Sequence, residues 1–195
     1  MSDRAGKYEL LERIGFGGMA EVWRAHAHGE AGFRRPVAVK RLLPNLAGDE
    51  VFGAMLLEEA RVVAALDHPN IVQTIDFRRE DDTQFLLVME LVDGINLGSW
   101  IRHHQRARET TPWPLVAMIA MDVLRALSAA HERKDEQGRA SPIFHRDVSP
   151  SNVLLGKHGN VKLGDFGLAR AMDRVTLTTP GVVKGKLSYE RQGGV

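Results

Sequence analysis

The sequence contains no cysteine, so disulfide bonds, thiolate metal sites and a cysteine nucleophile are excluded. An excess of charge is also missing, because 26 lysine and arginine residues nearly balance 25 aspartate and glutamate residues and leave a formal net charge of +1. Without a basic or acidic excess, we expect neither a nucleic acid nor an anionic membrane surface as a partner.

The chain lacks a long hydrophobic run as well. Its start, MSDRAGKYELLERIG, has no apolar signal-peptide core, and no stretch holds the roughly 18 apolar residues of a membrane span. We therefore expect a cytoplasmic protein with no membrane segment. With 195 residues, 44% hydrophobic and 26% charged, the composition is that of a globular protein of one or two compact units.

The first part of the chain predicts antiparallel strands and one helix. YELLERIG, AEVWRAHA and RRPVAVKRLL are short apolar runs, with the turn GFGG between the first two. DEVFGAMLLEEARVVAALDH has apolar residues at helical spacing and stops at His68-Pro69-Asn70. Two further strands, IVQTIDFRR and TQFLLVMELV, flank an acidic turn, and Asp93-Gly94 ends the pattern.

The remainder of the chain is richer in predicted helix. NLGSWIRHHQRA and PLVAMIAMDVLRALSAAHERK predict two helices, the second apolar enough to be buried on more than one face. DEQGRASP predicts a polar loop, NVLL and VKLGDF predict short strands, and residues 171–195 show little periodicity. This change of pattern favours a domain boundary near residue 93.

The glycine-rich turn and a strand lysine form one candidate site. Glycines in GFGG let backbone N–H groups approach phosphate oxygens without a Cβ in the way. A hairpin turn without a ligand is an alternative, and so is the dinucleotide-binding fingerprint, although that fingerprint opens a helix and a strand follows here. Lys40 ends the run VAVK on the next strand, and Glu59 or its neighbour Glu58 on the predicted helix can pair with its ammonium.

The second candidate site is HRDVSPSN, residues 145–152, which holds a histidine, an arginine, an aspartate and an asparagine in eight positions. If this segment is only a polar loop, no particular residues are expected elsewhere in the chain. A reaction centre requires phosphate-binding and metal-binding partners, and the aspartate of DFG at residues 165–167 is a candidate for the second role.

Five segments, in this order, resemble the signatures of eukaryotic-type protein kinases, particularly the bacterial serine/threonine members. GFGGMAEV is similar to the glycine loop, VAVK to the strand lysine, EARVVAALDHPNIV to the C-helix, HRDVSPSN to the catalytic loop and DFG to the metal motif. The resemblance spans nearly the whole chain. Small-molecule phosphotransferases of related fold are an alternative, but they generally lack an arginine like Arg146 and the phenylalanine-glycine pair after the metal aspartate.

The resemblance implies an α+β, two-lobed fold. An antiparallel-sheet N-lobe with one C-helix would occupy residues 1–93, and an incomplete, mainly helical C-lobe would occupy residues 94–195. The C-lobe is expected to be incomplete because the family continues with several helices after the activation segment, whereas here only ERQGGV follows KGKLSY.

The resemblance also implies ATP and Mg²⁺ as cofactors and the hydroxyl of a protein serine or threonine as the phosphate acceptor. Asp147 would accept the hydroxyl proton, and Lys40, held by Glu59, would bind the α- and β-phosphates. Asn152 and Asp165 would each hold Mg²⁺. The implied contacts of the phosphates, adenine and hinge are Ile14, Gly15, Gly17, Gly18, Val22, Ala38, Met89, Glu90, Val92 and Leu154.

Other residues have structural or regulatory roles by the same resemblance. His145 and Phe166 would pack in the row of buried side chains that links the lobes, known as the spine. Arg146 would bind a phosphate group on the activation segment. The chain itself is then a possible substrate at one of three threonines, Thr176, Thr178 and Thr179.

Two substitutions depart from the family pattern inside the site. Ala20 replaces the third glycine of the loop, which adds one methyl group. Ser149 stands where serine/threonine kinases usually have a lysine that neutralises the γ-phosphate, and Lys186 stands near a position that usually holds a threonine. We hypothesise that Lys186 supplies the missing cation as a catalytic residue; a solvent-facing Lys186 is the alternative.

The sequence therefore predicts a serine/threonine protein kinase that depends on ATP and Mg²⁺. The main alternative is a truncated, catalytically inactive module that binds a nucleotide or a partner, and a poorly folding product of an interrupted gene is a third possibility. The intact set of Lys40, Glu59, Asp147, Asn152 and Asp165 favours the enzyme. The missing C-lobe helices favour the module.

Overall fold

A computed structural model of the chain describes residues 3–80 and 84–166. Its first part is an antiparallel sheet of six strands in the order β1-β2-β3-β4-β6-β5. The strands are β1 (Asp3–Ala5), β2 (Tyr8–Phe16), β3 (Ala20–His28), β4 (Arg34–Leu42), β5 (Thr74–Arg79) and β6 (Phe85–Glu90), with a 3-10 turn at Glu30–Gly32 before β4. The predicted meander is present, and β2 to β4 lie within one or two residues of the predicted runs.

Helix α1 (Glu50–Ala64) packs against this sheet. Asp49 caps its start, because the side chain accepts a hydrogen bond from the Val51 amide at 2.9 Å. Gly53 is required where α1 meets the sheet, since a Cβ there would lie 2.6 Å from the Phe85 ring. The helix ends earlier than the predicted stop at His68. Leu66 is buried in the core, and after a turn at residues 69–70 Ile71 forms a bridge with Leu163.

The second part of the chain contains a three-stranded sheet and two helices. The sheet order is β7 (Gly94–Asn96), β8 (Val153–Gly156) and β9 (Val161–Leu163), and the helices are α2 (Leu97–Ala107) and α3 (Trp113–His131). β7 approaches β8 so closely that a Cβ on Gly94 would lie 1.9 Å from the Leu155 carbonyl oxygen. We call the six-stranded sheet with α1 the sheet unit, and residues 94–166 the helical unit.

One apolar cluster joins the two units. Ile119, Ala126 and Ala130 of α3 pack with residues of β8 and β9, and Val63 and Leu66 from the end of α1 belong to the same cluster. Two other clusters lie within the sheet unit, one in the curved sheet and one under α1. The change from one sheet to the other falls between Glu90 and Gly94, and we retain a division at residue 93 as a proposal.

Helix α3 differs from its prediction. It was expected to be buried on more than one face, yet three of its residues are buried, and an apolar face is exposed to solvent. A groove of about 570 Å³ runs along that face between Met121 and His131. The exposed apolar side chains are Trp113, Leu115, Val116, Met118, Met121 and Leu124.

The prediction that no stretch is long and apolar enough for a membrane span is wrong for α3. This 19-residue helix reaches the required length and composition. One such helix is weak evidence for a membrane location, and α3 differs from a buried core helix, because 17% of the apolar stretch is buried. Here Ile119, Ala126 and Ala130 hold α3 against β8 and β9.

Candidate active site

Lys40 lies at the centre of the candidate site, in the middle of the sheet unit. The strand register places it opposite Val22 on β3 and Leu87 on β6, and the residue is 4% exposed. Its ammonium donates hydrogen bonds to both carboxylate oxygens of Glu59, at 2.8 and 3.0 Å, and to Asp165 Oδ1 at 2.8 Å. The predicted partner on α1 is therefore found at Glu59 rather than Glu58.

The charges of this cluster depend on one another. Burial by itself lowers the pKa of Lys40, but Glu59 and Asp165 more than offset that effect, so the net pKa is raised and the lysine stays protonated. Burial raises the pKa of Glu59 to about 7, and the nearby lysine opposes this rise. Because Glu59 is 2% exposed, its negative charge is tolerated only while Lys40 is present.

Asp165 is held in an uncommon backbone conformation. Its φ is +58°, in the left-handed region that costs a non-glycine residue about 1–3 kcal/mol. Contacts on either side stabilise it: Lys40 binds its carboxylate, and the preceding Gly164 donates its amide to the Asn152 carbonyl at 2.9 Å. Such conformations persist where several surrounding contacts hold the backbone in place, and they often occur at functional sites.

The segment HRDVSPSN folds around Asp147. The Asn152 amide nitrogen donates to the Asp147 carbonyl at 2.9 Å and to its carboxylate at 3.3 Å. Arg146 also has a positive φ, +65°, which turns the chain between His145 and Asp147. The aspartate and the asparagine are thus connected directly, and Asn152 is connected through Gly164 to the segment that carries Asp165.

His145 links the two segments from inside. Its Nδ1 accepts the Asp147 amide at 3.3 Å, so the proton lies on Nε2, which donates to the Gly164 carbonyl at 2.8 Å. Burial lowers the pKa of His145, which keeps the ring neutral at pH 7. Its ring lies 4.5 Å from that of Phe166, and both residues are buried, in agreement with their predicted packing role.

The residues predicted to contact adenine come from both units. Ala38 is opposite Met89 in the sheet, and Leu154 lies on β8 of the helical unit. Ala38 is buried, Ile14 is exposed and the others are half-buried. Val92 lies two residues after the end of β6, in the segment that connects the two units, and it is half-buried.

Glu90 has a contact that sequence reasoning missed. The resemblance implies a place for Glu90 in the hinge, and in the structure its Oε1 also accepts from Lys162 Nζ at 2.6 Å and from the Gln73 amide at 2.8 Å. Lys162 lies on β9, three residues before Asp165, so this ion pair connects the end of β6 to the strand that leads to Asp165. The sequence contains one signal of this ion pair, because Lys162 lies between the apolar residues Val161 and Leu163 and needs a partner for its charge.

The glycine loop forms the turn between β2 and β3. Gly15 is opposite Val22, and a Cβ on Gly18 would have no heavy atom within 4 Å, so the loop offers an open backbone there. The Gly17 amide donates to the Ala20 carbonyl at 2.9 Å. The turn therefore uses the Gly17 amide, and the contact of the loop with phosphate stays a prediction.

Asn152 and Asp165 have the chemistry of a magnesium site. Mg²⁺ prefers oxygen ligands and is commonly bound by one or two carboxylates together with substrate phosphates. Asp165 offers a carboxylate that is 38% exposed, and Asn152, whose amide nitrogen binds Asp147, offers Oδ1. Within residues 3–80 and 84–166 no group of three or more His, Cys, Asp or Glu side chains could hold a metal. Phosphate oxygens and water would supply the remaining ligands.

Several predicted residues lie outside the described part of the chain. These are Gly167 of the DFG segment, the three threonines at 176, 178 and 179, and Lys186. Ser149 is described: its hydroxyl lies 2.9 Å from the Ser151 hydroxyl.

The chain matches one family of known proteins. The family described as protein kinase domain matches residues 8–189. The chain is 40% identical over 184 residues to the tyrosine-protein kinase MasK of Myxococcus xanthus, covering 94% of this chain and 28% of that protein. It is 35% identical over 187 residues to the serine/threonine-protein kinase PrkC of Bacillus subtilis, covering 95% of this chain and 26% of that protein.

A solved structure has the same fold. The structure titled PpkA-294 apo form superposes with a TM-score of 0.69 at 22% identity, covering 94% of this chain and 66% of that one. The curated relatives are much longer, and the chain spans between 26% and 40% of their lengths in PrkC, MasK and the serine/threonine-protein kinase PknA of Mycobacterium tuberculosis.

Proposed function

Because this chain belongs to the protein kinase family, we propose that it transfers the γ-phosphate of ATP to a serine or threonine hydroxyl of a protein. The observation that carries the proposal is the position of Lys40. Its ammonium contacts Glu59 of α1 and Asp165 of the helical unit, so one cation joins the sheet unit to the segment that we propose binds Mg²⁺.

Each residue of the site has a role in this transfer. Lys40 would bind phosphate oxygens of ATP, and Glu59 would hold its ammonium in place. Asp147 would orient the acceptor hydroxyl and accept its proton, while Asn152, bonded to both the Asp147 carbonyl and carboxylate, would keep that carboxylate oriented. Magnesium bound by Asn152 and Asp165 would neutralise charge on the phosphate oxygens.

A thermal melt tests the nucleotide site. At a Mg-ATP concentration of about 100 times the dissociation constant, binding adds about 2.7 kcal/mol to the free energy of unfolding, which raises the melting temperature by about 5 °C or more. Replacing the proposed metal ligand, Asp165→Asn, should remove most of the rise. Asp122→Asn, on the exposed surface of α3, is the matched control and should keep it.

The same protein assayed for phosphate transfer separates the alternatives. A rise in melting temperature with transfer to itself or to a basic protein supports the kinase, and a rise without transfer supports the inactive binding module. No rise at any Mg-ATP concentration contradicts both proposals.

Tyrosine is a second candidate acceptor. MasK, at 40% identity, bears the name tyrosine-protein kinase, whereas the other curated relatives described above are named serine/threonine-protein kinases. Ser149 is also a departure from the lysine that serine/threonine kinases usually have at this position. Mapping the phosphorylated residues by mass spectrometry after autophosphorylation decides between the acceptors, and we propose Thr176, Thr178 or Thr179 as the sites.

Serine/threonine kinases usually have a lysine at the position of Ser149, and the loss of this positive charge leads to a further part of the proposal. We propose that Lys186 reaches the γ-phosphate beside Asp147, because serine has no charge and Lys186 is the paired departure from the family pattern. Lys186→Ala and Lys186→Met should then lower the turnover rate by about 10²–10³-fold, as for other groups that stabilise charge in a transition state. A loss well below tenfold in a folded, ATP-binding variant would show that Lys186 is not that cation.

A further inference from the structure

The segment between α3 and the catalytic loop is an ordered hairpin rather than the predicted polar loop. Lys134 and Ala140 form an antiparallel bridge, and the Ser141 amide donates to the Arg133 carbonyl at 2.9 Å. The Ile143 amide also donates to the Ala130 carbonyl, at 2.9 Å. The chain that enters HRDVSPSN is therefore attached to the end of α3.

The tip of this hairpin has its own stabilising contacts. The Asp135 carboxylate accepts from the amides of Gln137 and Arg139, each at 2.9 Å, and from Arg139 Nε at 2.9 Å. Gly138 has a φ of +76°, which the turn requires. The tip is therefore held by contacts among its own residues.

The base of the hairpin connects three segments through one side chain. Arg133 Nη1 donates to the Ser141 hydroxyl at 2.7 Å and to the Ser141 carbonyl at 3.2 Å. Its Nε donates to the carbonyl of Ala65, the residue that caps the C-terminal end of α1, at 3.4 Å. A cation at the carboxyl end of a helix is also favoured by the helix dipole.

We propose that Arg133 is a positioning residue for phosphoryl transfer, because its guanidinium fixes the end of the helix that carries Glu59 relative to the chain that carries Asp147. The proposal rests on the proposed kinase function. Val63 and Leu66 also join this end of α1 to the helical unit. Their apolar contacts are non-directional, however, whereas the hydrogen bonds of a planar guanidinium fix an orientation.

A double-mutant cycle tests this role. Arg133→Ala is made in the wild-type chain and in Glu59→Gln, and the single-turnover transfer rate and the dissociation constant for Mg-ADP are measured in each. Arg139→Ala is the matched control, since it removes an arginine from the same hairpin whose contacts stay within the tip. Amide hydrogen exchange of residues 59–65 is followed in the proteins without nucleotide.

The expected result is non-additive. Arg133→Ala should lower the transfer rate about tenfold in the wild-type chain and less than about twofold further in Glu59→Gln, as expected for residues that act through one another. Arg139→Ala should change the rate less than about twofold in either background. Exchange of the α1 amides should accelerate in Arg133→Ala but not in Arg139→Ala.

Two results would overturn the proposal. One is an equal loss from Arg133→Ala in both backgrounds, which would make the residue a general contributor to stability. The other is equal exchange rates at residues 59–65 in the two arginine variants. If the wild-type chain transfers no phosphate, the proposed function fails, but the exchange comparison still decides whether Arg133 holds α1.

A milder variant covers the case in which Arg133→Ala does not fold. Ser141→Ala removes the 2.7 Å contact and leaves the arginine at the end of α1. It should show the same non-additive pattern with a smaller loss, about threefold. Additive behaviour of Ser141→Ala with Glu59→Gln would count against the proposal.

Discussion

Replacing Asp147 by asparagine is expected to lower phosphate transfer by about 10²–10⁴-fold, the range that a positioned general base contributes. Asparagine is nearly isosteric and its side-chain oxygen can still accept the hydrogen bond from Asn152 Nδ2, so folding should be unchanged. It cannot take the proton of the acceptor hydroxyl. The measurement is the single-turnover rate at saturating Mg-ATP, together with the dissociation constant for Mg-ADP, which should stay within about twofold.

The control for this variant is Asp122→Asn, which makes the same chemical change at a residue paired with Arg125 on the surface of α3. It should transfer phosphate at the wild-type rate. An Asp147→Asn protein that is folded, binds nucleotide and transfers within about threefold of the wild-type rate would remove Asp147 from the proposed mechanism.

Replacing Lys40 by methionine is expected to damage both stability and activity. Glu59 is 2% exposed, and removing one partner of a buried ion pair typically costs about 3–5 kcal/mol of the free energy of unfolding. The transfer rate should fall by about 10²–10³-fold, because the phosphates lose their cation. The destabilisation should grow as pH rises, since a buried carboxyl with a raised pKa favours the folded state when protonated and loses that advantage as it ionises.

A double variant separates the two effects. In Lys40→Met with Glu59→Leu, both charges are gone, and stability measured by urea unfolding should return to near the wild-type value, because buried ion pairs are often replaced by apolar residues without loss. Transfer should remain as low as in Lys40→Met. Lys157→Met is the surface control: this lysine is 58% exposed beside Asp93, and its loss should cost about 1 kcal/mol or less.

Either of two observations would contradict this account of Lys40. Wild-type stability in the single variant would mean that Glu59 does not need the lysine. Near wild-type transfer in the double variant would mean that the phosphates do not need it either.

The site could be predicted from sequence where its residues occur in local motifs. Lys40, Asp147, Asn152 and Asp165 each lie in a short segment with its own pattern, and the structure brings these segments together. Glu59 was preferred over Glu58 because of the motif around it, and the structure places it on Lys40. The long strands and helices were also predictable, since their apolar periodicity extends over many residues.

The missed features depend on contacts distant in sequence. β1 and β7 are three residues each and exist through pairing with β2 and β8, so their own sequences have no periodicity to detect. The early end of α1 results from Leu66 joining a core built mainly from the helical unit. The ion pair of Lys162 with Glu90 and the contact of Arg133 with Ala65 join segments whose proximity only the fold establishes.

The contact between Lys40 and Asp165 has a consequence for how the chain is made. The two residues are 125 positions apart, so at about 5–20 residues per second a ribosome adds Asp165 roughly 6–25 s after Lys40. The last strand of the sheet unit ends at Glu90, so the contact of Lys40 with Glu59 can form during that interval, before Asp165 is added. During synthesis, Glu59 is therefore available to neutralise the Lys40 ammonium before Asp165 is, and the contact that links Lys40 to Asp165 can form only afterwards.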